Sequence, residues 1–291
     1  MTQVIGIEAS GTRHRVNGVT LHCIEAGPED GPLVILLHGF PEFWWGWRHQ
    51  IAPLADAGFR VVAPDQRGYN LSDKPEGKRA YDLDVLAADV IGLMDALRRE
   101  TCCLVGHDWG GLVAWRTASR YPDRIARLVA VNAPHPDIAG PYLRSHPRQM
   151  LRSLYIGFFQ IPRLPEAMLS ARGHRALKDS LLRSSRRGAF SDADLEHYER
   201  AWSQPGALTS MLNWYRALPL KAGRSSGEKL AMPVLVIWGM RDGFLESGLA
   251  EASLTLCANG RMRRFEGATH WVHLEEPDAV AAELIAFCRG G

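Results

Sequence analysis

The spacing of hydrophobic and polar residues changes several times along the chain, and each change predicts a new strand or helix. Two alternating runs, at 13–16 and 20–25, flank the pair Asn17-Gly18, which is typical of a tight β-hairpin turn. Residues Leu33–Leu37 form a continuous apolar run, as expected for a strand buried on both faces. From 81 to 99, apolar residues recur at helical spacing, which predicts an amphipathic helix.

Strand and helix patterns alternate through the first half of the chain and again at its end. Such alternation is typical of a parallel sheet flanked by helices, and we therefore predict an α/β fold. The remaining predicted helices lie at about 44–57, 112–120, 246–257 and 277–288. The remaining predicted strands lie at 60–63, 101–105, 125–132, 233–238 and 262–265.

The middle of the chain has no strand pattern. From about 135 to 226, short helical pieces are interrupted by prolines, which predicts a helical lid placed over the end of the sheet. The core would then consist of two parts, 1–134 and 227–291. The lid is basic, with 14 Lys and Arg against 7 Asp and Glu, and we interpret this surplus as a solvated face rather than an anion-binding or membrane-binding one.

Composition narrows the class of protein. A chain of 291 residues with 46% hydrophobic and 23% charged residues fits a globular α/β protein, and a net charge of +2 gives no reason to expect nucleic acid. We predict neither a signal peptide nor a membrane span, because no apolar run approaches about 20 residues. The five cysteines are odd in number and lie mostly in apolar runs, so we expect free thiols and a cytoplasmic location. Cys102 and Cys103 would point to opposite faces of one strand.

The sequence Gly106-His-Asp-Trp-Gly-Gly111 stands between a predicted strand and a predicted helix. A sharp glycine-flanked turn in that position is a nucleophile elbow, and here its central residue is Asp108. With an ordinary pKa of about 4, an aspartate is an anion at neutral pH and can attack without a base. Attack on an sp³ carbon, as in an epoxide or alkyl halide, would leave an ester for water to hydrolyse. A simple helix cap would not need glycines on both sides.

Hydrolysis of that ester needs water activated by a base, and the base needs an orienting acid. Asp242 and His270 each follow one of the two last predicted strands. The order Asp108, Asp242, His270 is that of nucleophile, acid and histidine in α/β-hydrolases. His273, three residues further on, is the nearest alternative base, and we expect it to be secondary.

Backbone amides should stabilise the ester carbonyl as it gains charge. One is offered by Trp109, directly after the nucleophile, and the second is predicted at Phe40, in the loop after the strand Leu33–Leu37. Pro41 predicts a rigid turn there, of which a cis peptide bond is one form. We interpret His38 as a residue that packs under the site.

Four motifs together resemble the epoxide hydrolases of the α/β-hydrolase fold, and the resemblance covers nearly the whole chain. It implies conversion of an epoxide and water to a vicinal diol through an ester on Asp108. It implies no metal and no organic cofactor, and the oligomeric state stays open. The motifs are His-Gly-Phe-Pro-Glu at 38–42, Asp-Gln-Arg-Gly-Tyr at 65–69, the elbow at 106–111 and Asn-Ala-Pro at 132–134.

Two lid tyrosines strengthen the resemblance. Tyr155, in Tyr-Ile-Gly-Phe-Phe-Gln-Ile-Pro, and Tyr215, in Asn-Trp-Tyr-Arg, look like the two lid motifs whose tyrosines hold the epoxide oxygen in that family. The chemistry agrees, because a phenol remains a proton donor at neutral pH while the opening ring gains negative charge. We expect Phe40, Trp109 and Phe159 to contact an apolar or aromatic epoxide.

Three alternatives and two departures stay open. Haloalkane dehalogenases use the same nucleophile but often carry asparagine where Phe40 stands, and fluoroacetate dehalogenases favour arginine at Trp109. Two tyrosines suit an alkoxide, which must be protonated, better than a halide. A non-catalytic ligand-binding protein of this fold is the third alternative.

The chain departs from the family pattern at two positions. Asn70 replaces a glycine of the family, and asparagine tolerates the left-handed backbone conformation. Thr269 replaces a glycine that often stands just before the catalytic histidine, which leaves the shape of that loop open.

Overall fold

The computed structural model describes residues 2–4, 7–218 and 229–290, and the strands within these ranges form one sheet. The strands are β1 (Thr2–Val4), β2 (Ile7–Val16), β3 (Val19–Ala26), β4 (Leu33–Leu37), β5 (Arg60–Pro64), β6 (Cys102–His107), β7 (Ile125–Val131), β8 (Leu230–Gly239) and β9 (Cys257–Phe265). They lie in the order β1-β2-β3-β5-β4-β6-β7-β8-β9. Pairing is antiparallel from β1 to β5 and parallel from β5 to β9.

Helices alternate with the strands of the parallel part, as predicted. They are α1 (Arg48–Asp56), α2 (Leu83–Ala96), α3 (Trp109–Arg120), α4 (Pro136–Ser145), α5 (Pro147–Arg152), α6 (Leu154–Phe159), α7 (Leu164–Ser184), α8 (Asp192–Trp202), α9 (Ala207–Ala217), α10 (Gly248–Leu254), α11 (Val272–Glu275) and α12 (Pro277–Arg289). Helix α1 packs against α12, and α2 packs against α3. Every residue of β4 is buried, because the centre of the sheet is covered on both faces.

Parallel register brings the ends of β4, β6, β7, β8 and β9 to one edge of the sheet. Leu37 pairs with Gly106, and Val131 lies between His107 and Ile237. The loops that follow these strands therefore meet at this edge, which is where open α/β sheets bind ligands.

Helices α4 to α9 stand between β7 and β8, and the described residues of this segment contain no strand. Several of these helices begin with proline, as α4 does with Pro136 and α5 with Pro147. At the first position of a helix the backbone N–H has no partner within the helix, so its absence in proline does not destabilise the helix. The last part of the predicted lid, 219–226, lies outside the described residues. The exact division into lid and core stays a prediction.

The predicted elements agree with the structure apart from shifted ends and two short additions. The hairpin turn has positive φ at Asn17 (43°) and Gly18 (78°), the geometry that this residue pair favours. The helix predicted at 44–57 begins as a 3₁₀ turn, Trp44–Trp47, before α1. Strand β1 and helix α11 were not predicted, because three or four residues are too few to establish a period.

The cysteine prediction is wrong for two residues. Cys103 and Cys288 form a disulfide between β6 and α12, with their Cα atoms 5.9 Å apart, whereas Cys23, Cys102 and Cys257 are free and buried. An odd cysteine count cannot reveal a single bridge between residues 185 positions apart. Adjacent strand residues do point to opposite faces, as expected. A cytoplasmic location, which was argued in part from free thiols, stays a prediction.

Across the described residues, every helix is either too short or too polar to cross a bilayer.

Candidate active site

The nucleophile elbow lies at the junction of β6 and α3. Asp108 has φ 49° and ψ −118°, a strained backbone conformation for a residue with a side chain. A Cβ atom on Gly110 would collide with backbone carbonyl oxygens at the end of β4, and one on Gly106 would collide with the backbone of Gly110. Glycine is therefore required on both sides, and the turn presents the Asp108 carboxylate above the edge of the sheet.

His270 lies between two carboxylates. Its Nδ1 atom is 2.8 Å from Oδ2 of Asp242, and its Nε2 atom is 3.6 Å from Oδ2 of Asp108. Burial alone would lower the pKa of His270, but the charges and hydrogen bonds of Asp242 and Asp108 raise this pKa to about 10. The structure thus brings together the three residues predicted as nucleophile, acid and base, with the imidazole protonated at neutral pH.

Asp242 is fixed by several donors. Its carboxylate accepts hydrogen bonds from Asn132 Nδ2 at 2.7 Å and from the backbone amides of Phe244 and Leu245 at 2.7 and 3.0 Å. Burial would raise the pKa of Asp242, but the charge of His270 and these hydrogen bonds lower it. Asp242 therefore stays ionised beside His270. Asn132, which appeared in the sequence only as part of a motif, is a positioning residue for the acid.

The loop after β4 approaches the nucleophile as predicted. The Phe40 amide donates a 2.9 Å hydrogen bond to Oδ1 of Asp108, and the peptide bond from Phe40 to Pro41 is cis. Trp109 is the first residue of α3, directly after the nucleophile. His38 is fully buried, and its Nε2 accepts a backbone amide from the loop after β5, which fits a packing role under the site.

Both predicted lid tyrosines line the same cavity as Asp108. Tyr155 on α6 and Tyr215 on α9 line a cavity of about 610 Å³ whose wall also includes Asp108 and Trp109. The rings of Tyr155 and Tyr215 lie 5.9 Å apart, measured between centroids. Burial raises the pKa of both phenols, and the nearby charge of Asp108 raises both further. Both therefore remain protonated donors that face the nucleophile.

Two of the predicted substrate contacts lie behind the cavity wall. The ring of Phe159 is 5.0 Å from that of Tyr215 and 5.5 Å from that of Tyr155, measured between centroids. The Phe40 ring lies edge-on to Tyr215 at 5.1 Å. These side chains support the tyrosines, whereas Trp109 takes part in the cavity wall.

Two side chains of α5 connect the lid to the loop that carries the acid. Gln149 donates from Nε2 to the Phe244 carbonyl at 2.8 Å, and its Oε1 accepts the Glu246 amide at 2.8 Å. Arg152 donates to the backbone oxygen of Asp242 at 3.1 Å. The lid therefore restrains the acid loop as well as supplying tyrosines, a role that no sequence motif indicated.

Known proteins share this architecture. The model of the α/β-hydrolase fold family matches residues 32–277. The AB hydrolase superfamily protein YfhM of Bacillus subtilis is 48% identical over 269 residues, covering 92% of this chain and 94% of that protein. Human epoxide hydrolase 4 is 39% identical over 287 residues, covering 95% and 78%. A crystal structure of Bacillus megaterium epoxide hydrolase with an inhibitor is 33% identical, with a TM-score of 0.86, and covers 95% and 99%. This chain belongs to the epoxide hydrolases of the α/β-hydrolase fold.

The two departures from the epoxide hydrolase pattern are accommodated locally. Asn70 has φ 40°, and its side-chain amide donates to Asp65 at 2.8 Å, which favours the left-handed conformation. The amide and hydroxyl of Thr269 donate to the carboxylate of Glu275 at 2.7 and 2.6 Å. A polar anchor therefore holds the loop before His270 in this epoxide hydrolase, where glycine often stands.

A buried cluster beneath His270 was not identified as functional from the sequence. Glu42 lies 2.7 Å from His107 Nδ1 and 3.2 Å from His273 Nε2, and His107 Nε2 lies 3.0 Å from the backbone oxygen of His270. Both ring nitrogens of His107 therefore lie within hydrogen-bond distance of an oxygen atom. Burial would raise the pKa of Glu42, but His273 and His107 lower it well below its usual value. The ring of His107 lies between them, 4.8 Å from the His270 ring and 4.2 Å from the His273 ring, and the secondary role of His273 stays a prediction.

The same three side chains, Glu42, His107 and His273, bring potential metal-ligand atoms within 4.8 Å of one another. Each of the ring nitrogens that faces Glu42 is already hydrogen-bonded to it, and the Gly39 amide donates to the same carboxylate at 3.2 Å. A metal ion would have to displace these charge-assisted bonds in a fully buried site. The donor set therefore fits a hydrogen-bonded cluster, and catalysis without a metal or organic cofactor stays our prediction.

Proposed function

We propose that this epoxide hydrolase opens an epoxide by attack of Asp108 and releases a vicinal diol after hydrolysis of the resulting ester. The observation that carries the proposal is the placement of Asp108 between His270 on one side and two protonated tyrosines on the other. A carboxylate supplies the nucleophile, the phenols supply donors for the leaving oxygen, and the histidine supplies a base.

In the first step Oδ2 of Asp108 attacks an epoxide carbon, and the bond from that carbon to the ring oxygen breaks. Oδ1 accepts the Phe40 amide, so Oδ2, which has only Nε2 of His270 at 3.6 Å, is the oxygen available for attack. The departing oxygen gains negative charge, which hydrogen bonds from Tyr155 and Tyr215 stabilise. Because these interactions strengthen as charge develops, they accelerate the step rather than merely tighten binding.

In the second step water attacks the ester carbonyl carbon of Asp108. The ester carries no charge, so His270 loses one of the two carboxylates that raise its pKa and passes its proton to the alkoxide formed in the first step. The neutral imidazole then accepts a proton from the attacking water, and the amides of Phe40 and Trp109 stabilise the oxyanion. Collapse of the tetrahedral intermediate breaks the acyl–oxygen bond, and the imidazolium protonates the leaving diol oxygen. The proton left on the new carboxyl group returns to His270, so Asp108 is again an anion and carries one oxygen from water.

The cavity supports an apolar substrate of moderate size. Its volume of about 610 Å³ would hold an arylalkyl epoxide, and Trp109, Ile156 and Leu249 are among its apolar lining residues. We propose a small-molecule epoxide of this class, with water as the second reactant. A haloalkane or haloacid would use the same nucleophile but would leave both tyrosine hydroxyls without a matching function.

A single turnover in oxygen-18 water tests the proposal. With enzyme in excess over styrene oxide, we expect label in the peptide that carries Asp108, because water attacks the acyl carbon. The matched control is His270→Gln, which should accumulate an unlabelled ester detectable by intact mass. Label in the diol with none in the peptide would contradict the covalent mechanism. Faster turnover of an alkyl chloride or fluoroacetate than of any epoxide would contradict the substrate class.

A further inference from the structure

One lid segment, 138–165, has features that the active site does not explain. It contains four arginines and no aspartate or glutamate. Several of its apolar side chains are exposed to solvent, which is unusual for a cluster of large apolar residues. The exposed fractions are 65% for Leu151, 64% for Leu154, 50% for Met150, 47% for Leu164 and 43% for Ile161.

The helices α5 and α6 of this segment have two functional sides. Gln149, Ser153 and Ile156 line the cavity. The exposed side chains, Met150, Leu151 and Leu154, lie on the other side of these helices. The apolar residues exposed to solvent are therefore not needed to line the cavity, because other residues of the same helices do so.

The charge around the outward side is positive. The side chain of Arg148 is 76% exposed and only approaches Glu246 at 3.6 Å, and Arg163 is also exposed. The first acid after the segment, Glu166, is engaged by both terminal nitrogens of Arg216, at 2.6 and 3.0 Å. Exposed leucines beside arginines form the pattern of a helix that lies in the surface of an anionic bilayer.

We propose that the outer face of 147–164, here called the lid face, docks on the surface of an anionic lipid bilayer. For this face the exposed apolar residues replace our interpretation of the basic surplus as a merely solvated surface. A second copy of the chain is a poorer occupant, because two basic faces would repel each other. Docking would bring the cavity near the lipid, because Leu218 lines the cavity and is 42% exposed, and Arg216, two residues before it, donates to the carbonyl of Ile161 in the lid face at 2.9 Å. An apolar epoxide dissolved in the bilayer could then enter directly. This delivery role rests on the proposed function, whereas docking itself does not.

Co-sedimentation with vesicles tests docking independently of catalysis. We compare vesicles of phosphatidylcholine alone with vesicles that also contain phosphatidylglycerol, at low and high salt. We expect binding to the anionic vesicles only, weakened by salt. The variant Leu151→Ser/Leu154→Ser should lower the partition coefficient by roughly tenfold or more, because it removes two leucine side chains that the bilayer would bury. Arg148→Glu/Arg163→Glu should abolish binding.

The matched control changes the same residue types elsewhere in the lid. Leu182 is 46% exposed and the Arg183 side chain is 83% exposed, both on α7, so Leu182→Ser/Arg183→Glu should bind vesicles like the wild type. All variants should hydrolyse a water-soluble epoxide at the wild-type rate, which shows that they are folded. Failure of the wild type to sediment with anionic vesicles would overturn the proposal. A dimer in ultracentrifugation that the leucine variant loses would assign the lid face to a second copy instead.

Discussion

Asp242 and Asp108 together raise the pKa of His270, and the charge of Asp242 is the larger cause. His270 is buried between Asp108 and Asp242, and together they raise its pKa to about 10, so the free enzyme holds an imidazolium. That form cannot take a proton from water. In the proposed mechanism alkylation removes the charge of Asp108, which lowers the pKa of His270 and lets it act as a base once the ester has formed.

This shift in pKa makes stability depend on pH. The pKa of His270 is higher in the folded state than its ordinary value of 6.5, so the stabilisation is fully present below about pH 6.5. It is lost as pH rises towards 10. We expect the difference in Tm between wild type and His270→Gln to shrink over that window, by roughly 2–4 °C for each kcal/mol lost. Thermal melts at intervals from pH 6 to pH 10 measure it, and a difference that grows with pH would contradict the assignment.

The two lid tyrosines should act on ring opening rather than on binding. Each donates to the departing oxygen, so Tyr155→Phe or Tyr215→Phe should slow alkylation by roughly tenfold to a thousandfold, with a smaller effect on ground-state affinity. The double variant should be nearly inactive on epoxides. Rapid quenching of the reaction followed by intact mass measures how fast the ester forms on each variant. Tyr142→Phe, a lid tyrosine outside the cavity wall, is the control. Wild-type ring opening by the double variant would remove the tyrosines from the mechanism.

At the scale of elements, the elbow depends on close backbone approach rather than on helix propensity. Alanine is favoured over glycine inside a helix by about 1 kcal/mol, which taken alone would make Gly110→Ala stabilising. The added Cβ would instead meet the carbonyl oxygens at the end of β4, which cannot move without shifting the sheet. The stability of Gly110→Ala therefore shows whether helix propensity or the clash with the backbone of β4 dominates.

We expect Gly110→Ala to destabilise the protein by about 1–3 kcal/mol or more and to abolish activity, because it displaces Asp108. Gly18→Ala is the matched control. Its φ is 78°, but nothing lies within 4 Å of the new Cβ, so only the backbone cost of roughly 1–2 kcal/mol applies and activity should persist. Urea unfolding and turnover measure both. Equal activity losses in the two variants would show that the close approach is not what matters.

The elements, and the meeting of Asp108, Asp242 and His270 at one edge of the sheet, could be predicted from the sequence because each has a local signal. The apolar run of β4 and the glycines around Asp108 are such signals, and parallel topology then brings Asp242 and His270 to the same edge. The cluster of Glu42 with His107 and His273 could not be predicted, because it forms between residues distant in the chain that each look ordinary alone. The contacts of α5 with the acid loop were missed for the same reason.

At the scale of the whole molecule, the active site is assembled from both parts of the core. Asp108 comes from the part before the lid, whereas Asp242 and His270 come from the part after it. The disulfide from Cys103 to Cys288 connects the same two parts, at the start of β6 and therefore at the edge of the sheet opposite the nucleophile. A covalent link there restrains the two parts without touching the chemistry.

Removing this link should cost stability and spare catalysis. The loop it closes spans 185 residues, so Cys288→Ser should lower the free energy of unfolding by about 2–5 kcal/mol through the entropy of the unfolded chain. Cys257→Ser, at a free and buried thiol, is the control, and reductant should shift its unfolding midpoint but not that of Cys288→Ser. Alkylation of the unfolded, unreduced wild type should modify three thiols. Modification of all five would show that the bridge is not formed, and the reduced-thiol expectation would then stand.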